Sequence, residues 1–145
     1  MNIINFLLAI IVCYLGLAAG LVLRKFTKQE VESGKKWLVF VQRLLVLVII
    51  GLFMYFKELK AIWIIAALFV ASTAMYQLTI KTPVFYALFG IFVGLAKNDM
   101  NLFLLITSLT FVYGLVSGSM HEKSNWKYLI ANAVFFVSAV LMWFA

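Results

Sequence analysis

Charge is the scarcest resource in this chain. Only 12% of its 145 residues are Asp, Glu, Lys or Arg, about half the usual share of a soluble globular domain, so a water-facing shell around a packed interior is excluded. Carboxylates are rarer still: there are five, and none lies deep in an apolar run, which argues against a proton or sodium relay built on buried acids. A single cysteine, Cys13, excludes an intrachain disulfide or a cysteine metal cluster, and its apolar setting reads as inert packing. The lone histidine, His121 beside Glu122, falls short of a metal-binding set. Phosphate-cradling glycine loops, nucleophile elbows and paired catalytic carboxylates are also missing. No catalytic residue, metal or cofactor is therefore expected, and an enzyme is the least supported class.

What is present is hydrocarbon: 66% of the residues are apolar, and the mean hydropathy is +1.11. Crossing a bilayer takes about 20 apolar residues in a helix, and backbone amides in lipid are satisfied only within helices or closed barrels. The runs here are apolar on all sides, unlike the alternating strands of a barrel. The sequence thus predicts an all-α polytopic transmembrane helical bundle, one integral membrane domain over 1–145 with no soluble domain. Charged breaks place spans at 3–23, 37–56, 61–80, 83–96, 101–120 and 128–145. The fourth is short, and if it re-enters without crossing, five full spans remain.

The first run reads as a retained span, because Met1 to Asn5 carries no basic residue and the run exceeds a signal-peptide core. Thr82 and Pro83 suit a helix start. Thr27-Lys28-Gln29-Glu30 has capping-box spacing, with Phe26 and Val31 placed as a hydrophobic staple and Gly34 as a stop. A short cytoplasmic interfacial helix is therefore expected over 27–34. Arg24, Lys25, Lys28, Lys35, Lys36, Lys81, Lys123 and Lys127 fall in alternate loops, against Lys57, Lys60 and Lys97 on the other side. The positive-inside rule then puts the first group in the cytoplasm and both termini outside, in a multi-pass protein of the cell membrane. The net charge of +7 is scattered over short loops, so it points to anionic lipid rather than to nucleic acid.

Three glycine pairs at four-residue spacing, Gly16/Gly20, Gly90/Gly94 and Gly114/Gly118, mark faces for close helix packing, within the chain or in a homodimer. Arg43 lies about two turns inside the second span with Gln42 beside it, and a charge at depth calls for a partner. Gln77, Asn132, Tyr76 and Tyr113 fall in the same half of their spans and are placed to meet Arg43 in one polar layer. Ser72 and Thr73 add polar groups to the third helix, whose polar face should turn toward the bundle. Two functions are compatible with this set. One is a transporter or permease for a small solute or an anionic lipid-like group, anchored by Arg43, Gln42, Gln77, Asn132, Tyr76 and Tyr113. The other is a non-catalytic subunit or scaffold that packs against a partner membrane protein, with the same polar groups serving only to hold helices together. The direction of Arg43 discriminates between them.

Overall fold

The computed structural model describes residues 2–77, 82–121 and 126–145, the side chains of 74–77 and of Trp126 excepted. Within these residues the chain is all-α, and no strand is present. The helices are α1 (Ile3–Phe26), α2 (Lys28–Phe56), α3 (Ala61–Gln77), α4 (Thr82–Leu95), α5 (Met100–Met120), α6 (Trp126–Asn132) and α7 (Val134–Phe144). The last two form one apolar segment interrupted at Ala133. Among the described residues, four stretches are long and apolar enough to cross a bilayer: Ile3–Phe26, Lys28–Phe56, Met100–Met120 and Lys127–Phe144. The outward faces are apolar as well. On α1, Ile4, Leu8, Ile11, Leu15 and Val22 are all exposed, a surface that fits a lipid surrounding and would associate in water.

Local chemistry sets several of the helix ends. The Asn2 side chain accepts from the Ile4 amide at the head of α1, and Asp99 accepts from the amides of Asn101 and Leu102 at the head of α5, each satisfying amides that a helix start leaves orphaned.

The interfacial helix expected over 27–34 is not a separate element, because α2 runs unbroken from Lys28 to Phe56 and absorbs it. Thr27 makes no capping bond to α2; its hydroxyl turns back to the Leu23 carbonyl. Phe26 is 82% exposed, so the staple does not close. No glycine has positive φ, so Gly34 does not take the left-handed turn that would stop a helix, and it only weakens α2 by about 1 kcal/mol relative to alanine. The 29 residues of α2 extend about 43 Å, well beyond a hydrocarbon core of about 30 Å, and the charged first turns account for the excess.

Side-chain contacts fix the direction of each segment. Tyr14 of α1 packs on Phe136, and Phe6 packs on Trp143 with ring centres 4.4 Å apart, so α1 and α7 are antiparallel. Gly16 meets Phe111 whereas Gly20 meets Leu115 and Gly118, so α1 and α5 are parallel. Gly90 meets Phe135 and Ser138 whereas Gly94 meets Ala139 and Met142, so α4 and α7 are parallel too. On α2, Gln42 reaches Tyr113 and Ser117, Phe53 stacks on Phe92, and Lys57 reaches Leu95. The α1–α2 joint and the starts of α4 and α6 therefore lie at one end of the bundle, and the α2–α3 and α4–α5 turns lie at the other. Although α4 has only 14 residues, about 21 Å of helix, it runs from Thr82, hydrogen-bonded with Tyr128 at the first end, toward Lys97, which reaches the end of α7.

The core sits where α1, α4, α5 and α7 converge on Phe6, Ile10, Leu17, Tyr86, Phe89, Tyr113 and Phe135, with Val46 and Ile49 of α2 buried against them. In contrast, α3 packs chiefly on α2, and none of its described side chains is buried.

Candidate functional site

Two close crossings shape the interior. Where α1 meets α5, a methyl group on Gly114 would lie 2.7 Å from both the Leu17 amide nitrogen and the Tyr86 hydroxyl, and one on Gly118 would lie 2.9 Å from the Leu21 nitrogen. Where α4 meets α7, a methyl group on Gly94 would lie 2.9 Å from the Ala139 carbonyl oxygen. Such separations are below any real carbon contact, so these backbones touch only because the glycines carry no side chain. All six paired glycines, Gly16, Gly20, Gly90, Gly94, Gly114 and Gly118, face backbone or side-chain atoms of another helix of the same chain.

Polar groups gather beside the first crossing. Gln42 is half-buried on α2, and its amide nitrogen donates to the Tyr113 hydroxyl at 3.2 Å and to the Ser117 hydroxyl at 2.8 Å. Both of its N–H donors are thereby used, which ties α2 to α5. The Tyr14 hydroxyl donates to the Leu129 carbonyl, which also accepts from the Ala133 amide at 3.0 Å, tying α1 to α6 beside the interruption at Ala133. Asn132 is fully buried; its amide nitrogen donates to the Tyr128 carbonyl at 2.7 Å. Among the described residues, Asn132 Oδ1, Tyr86 Oη and Thr110 Oγ1 are buried with no hydrogen-bond partner.

The predicted polar layer thus assembles only in part. Gln42 and Tyr113 meet directly. Arg43, one position further along α2, lies on an exposed side of its helix, and among the described residues no hydrogen bond or ion pair reaches it. Asn132 is buried among α6 and its neighbours and bonds its own helix. The side chains of Tyr76 and Gln77 lie outside the described residues. Ser72 is exposed and bonds the Phe69 carbonyl, and Thr73 bonds the carbonyls of Phe69 and Val70, so both satisfy themselves within α3 rather than turning into the bundle. Ser117, Tyr14 and Tyr86 belong to the polar interior but do not stand out in the sequence, whereas Thr110, with Thr107 and Ser108, reads there as a polar group of the fifth span open to either role. The available signal was spacing, since Thr110, Gly114 and Ser117 share a face of α5 with Tyr113 beside them.

Two further clamps close the ends. Arg24 donates to the Ser119 carbonyl at 3.0 Å and lies 3.9 Å from Glu32, joining α1, α5 and α2 at the basic end. At the opposite end Lys97 donates to the Trp143 carbonyl at 2.6 Å and lies over its ring, placing a cation on the negative end of α7.

Among the described residues, two grooves open on the surface. One, of about 570 Å³, lies between α2, α3 and α4 and is lined by Phe53, Trp63, Ala67, Ala71 and Phe92 among others. The other, of about 420 Å³, lies between α1 and α5 and is lined by Ala9, Cys13, Thr107 and Ser108 among others. Neither is lined by Arg43, Gln42, Tyr113 or Asn132. Among the described residues no group of His, Cys, Asp and Glu is placed to hold a metal ion. Comparison with family models, curated proteins and solved structures finds no match, so a functional reading rests on this geometry.

Proposed function

We propose that this chain is a non-catalytic membrane subunit: a block of α1, α4, α5 and α7 that holds itself together and presents the α2–α3 arm to a transmembrane helix of a partner protein. The observation that carries this reading is how the polar groups are used. Gln42, Tyr113 and Ser117 bond one another, Ser72 and Thr73 bond their own helix, and Arg43 faces outward. A transport pathway needs polar groups that converge on a cavity, whereas among the described residues these groups bond one another or their own helix.

The arm supplies the complementary half of the argument. Ile62, Ile65 and Phe69 share a face of α3 and are each about two-thirds exposed or more (71%, 68% and 69%). Without an oil–water difference to drive association inside a bilayer, helices meet through packing and small-residue contacts. The alanines of the α2–α3 groove, Ala66, Ala67 and Ala71, offer such a contact to an incoming helix.

The test is photo-crosslinking in the native membrane from position 65 or 69 of α3, with position 8 on the outer face of α1 as the control. One discrete crosslinked protein from α3, and none from α1, is the expected result. Lipid adducts alone from α3, together with solute flux in proteoliposomes that Arg43→Ala abolishes, would replace this reading with transport.

A further inference from the structure

Arg43 combines three properties that together need an explanation. It stands in the span region of a long apolar helix, on an exposed side, with no partner among the described residues. A guanidinium keeps its charge and offers five donors in a planar fork, and leaving it bare in hydrocarbon is costly. No described residue supplies its counterpart, and a group from outside the chain can reach it on its exposed side.

Register shows where that counterpart lies. Trp37, 73% exposed, is six residues before Arg43, about 9 Å along the axis, and tryptophan marks the interface. Helical side chains lean toward the helix N-terminus, which for α2 is the basic end of the bundle. The Arg43 head is therefore carried back toward the headgroup level and not deeper into the bilayer. Lys36, also exposed, is seven residues before Arg43 and shares its side of the helix. Phe40 at 57% and Leu44 at 48% exposure lie alongside and supply apolar surface for an acyl chain.

We infer that Arg43, with Lys36 above it and Trp37 and Phe40 beside it, forms a binding site for an anionic glycerophospholipid of the leaflet at the basic end, the Arg43 fork holding the phosphate bidentately. Two cations on one helix face favour a lipid with a net negative headgroup over a zwitterionic one, whose own ammonium Lys36 would repel. A partner carboxylate is the less favoured counterpart, because the lean of the side chain brings the fork to phosphate level, where lipid is always at hand. The site concerns the first third of the α2 span and does not depend on a partner at α3.

The experiment uses the full chain in bilayer nanodiscs of equal phosphatidylglycerol and phosphatidylcholine, with native mass spectrometry counting the lipids that stay bound on release. Wild type is expected to retain phosphatidylglycerol over phosphatidylcholine by about fivefold, the scale of one basic residue at an anionic surface. Arg43→Gln should bring the ratio near one. Arg43→Lys should fall between, since a point charge remains but the two-pronged bond does not. Lys60→Gln, at the opposite end, should leave the ratio unchanged. Because no hydrogen bond or ion pair among the described residues depends on Arg43, the Gln variant should fold, and its unfolding midpoint verifies this; if it does not fold, Lys36→Gln takes its place with a twofold or greater drop expected. Wild-type selectivity persisting in folded Arg43→Gln, or absent from wild type, overturns the site. Loss of a co-purifying acidic membrane protein from Arg43→Gln, with lipid retention unchanged, would overturn it in favour of a protein contact.

Discussion

In the block made by α1, α4, α5 and α7, helices approach until backbone meets backbone; in the arm made by α2 and α3, they do not. Both regions draw on the same apolar residues. Yet 56% of the most hydrophobic stretch of α5 and 39% of that of α1 are buried, against 11% for α2. The difference lies in the smallest residues. The block places Gly16, Gly20, Gly114 and Gly118 at one crossing and Gly90 and Gly94 at another, whereas Gly51 of α2 meets only the tips of Leu68 at 3.8 Å, and Gly34 meets nothing. Where lipid solvates a leucine as well as another leucine does, hydrophobicity cannot choose a neighbour. Shape chooses, and a missing Cβ is the strongest shape signal available.

The largest effect is expected where shape is tightest. Gly114→Leu drives a side chain into Leu17 and the Tyr86 hydroxyl; relief requires parting two helices, so a loss of about 3 kcal/mol or more is expected, read as a drop in the unfolding midpoint in mild detergent. Should Gly114→Leu unfold no earlier than wild type, the contrast between block and arm would fail. A smaller effect should distinguish the link between the regions. Gln42→Leu removes both bonds to Tyr113 and Ser117 and should cost about 1 kcal/mol, near the scale of interhelical hydrogen bonds in membranes. Its signature should be local, with cysteine probes on α2 labelling faster and those on α1 unchanged; uniform loosening would make the two regions one cooperative unit. The smallest effect belongs to Gly34→Ala, which meets open space in the middle of a helix and should stabilise α2 by up to ~1 kcal/mol, visible as a gain in helix content at the basic end.

Against these tests, the sequence reading divides along physical lines. Long apolar runs forced helices, because the backbone has no other way to satisfy its amides in oil, and charged breaks put most helix ends within a few residues. The start of α2 was misjudged for a definite reason: Thr27 and Gly34 carry capping and stopping propensities, but a cap forms only if the hydroxyl turns forward, and Thr27 turned back to Leu23. The glycine spacing was visible, whereas its partners were not. Periodicity marks a face without naming its mate: residues 16–20 and 114–118 echo each other in sequence, but the echo does not say that the two faces meet. Arg43 behaved similarly: depth follows from counting residues, but direction depends on which side of α2 the block occupies. Gln42, its immediate neighbour, is turned by about 100° of helix and meets Tyr113.

The Gly16–Gly114 crossing has a consequence for how the chain comes into being. Its two sides are nearly a hundred residues apart in sequence, and synthesis proceeds at about 5–20 residues per second, so α1 waits on the order of 5–20 s for the mate that completes it. During that interval its bare glycine seam is open to any passing helix, and the block is born in pieces whose earliest member waits longest for its mate.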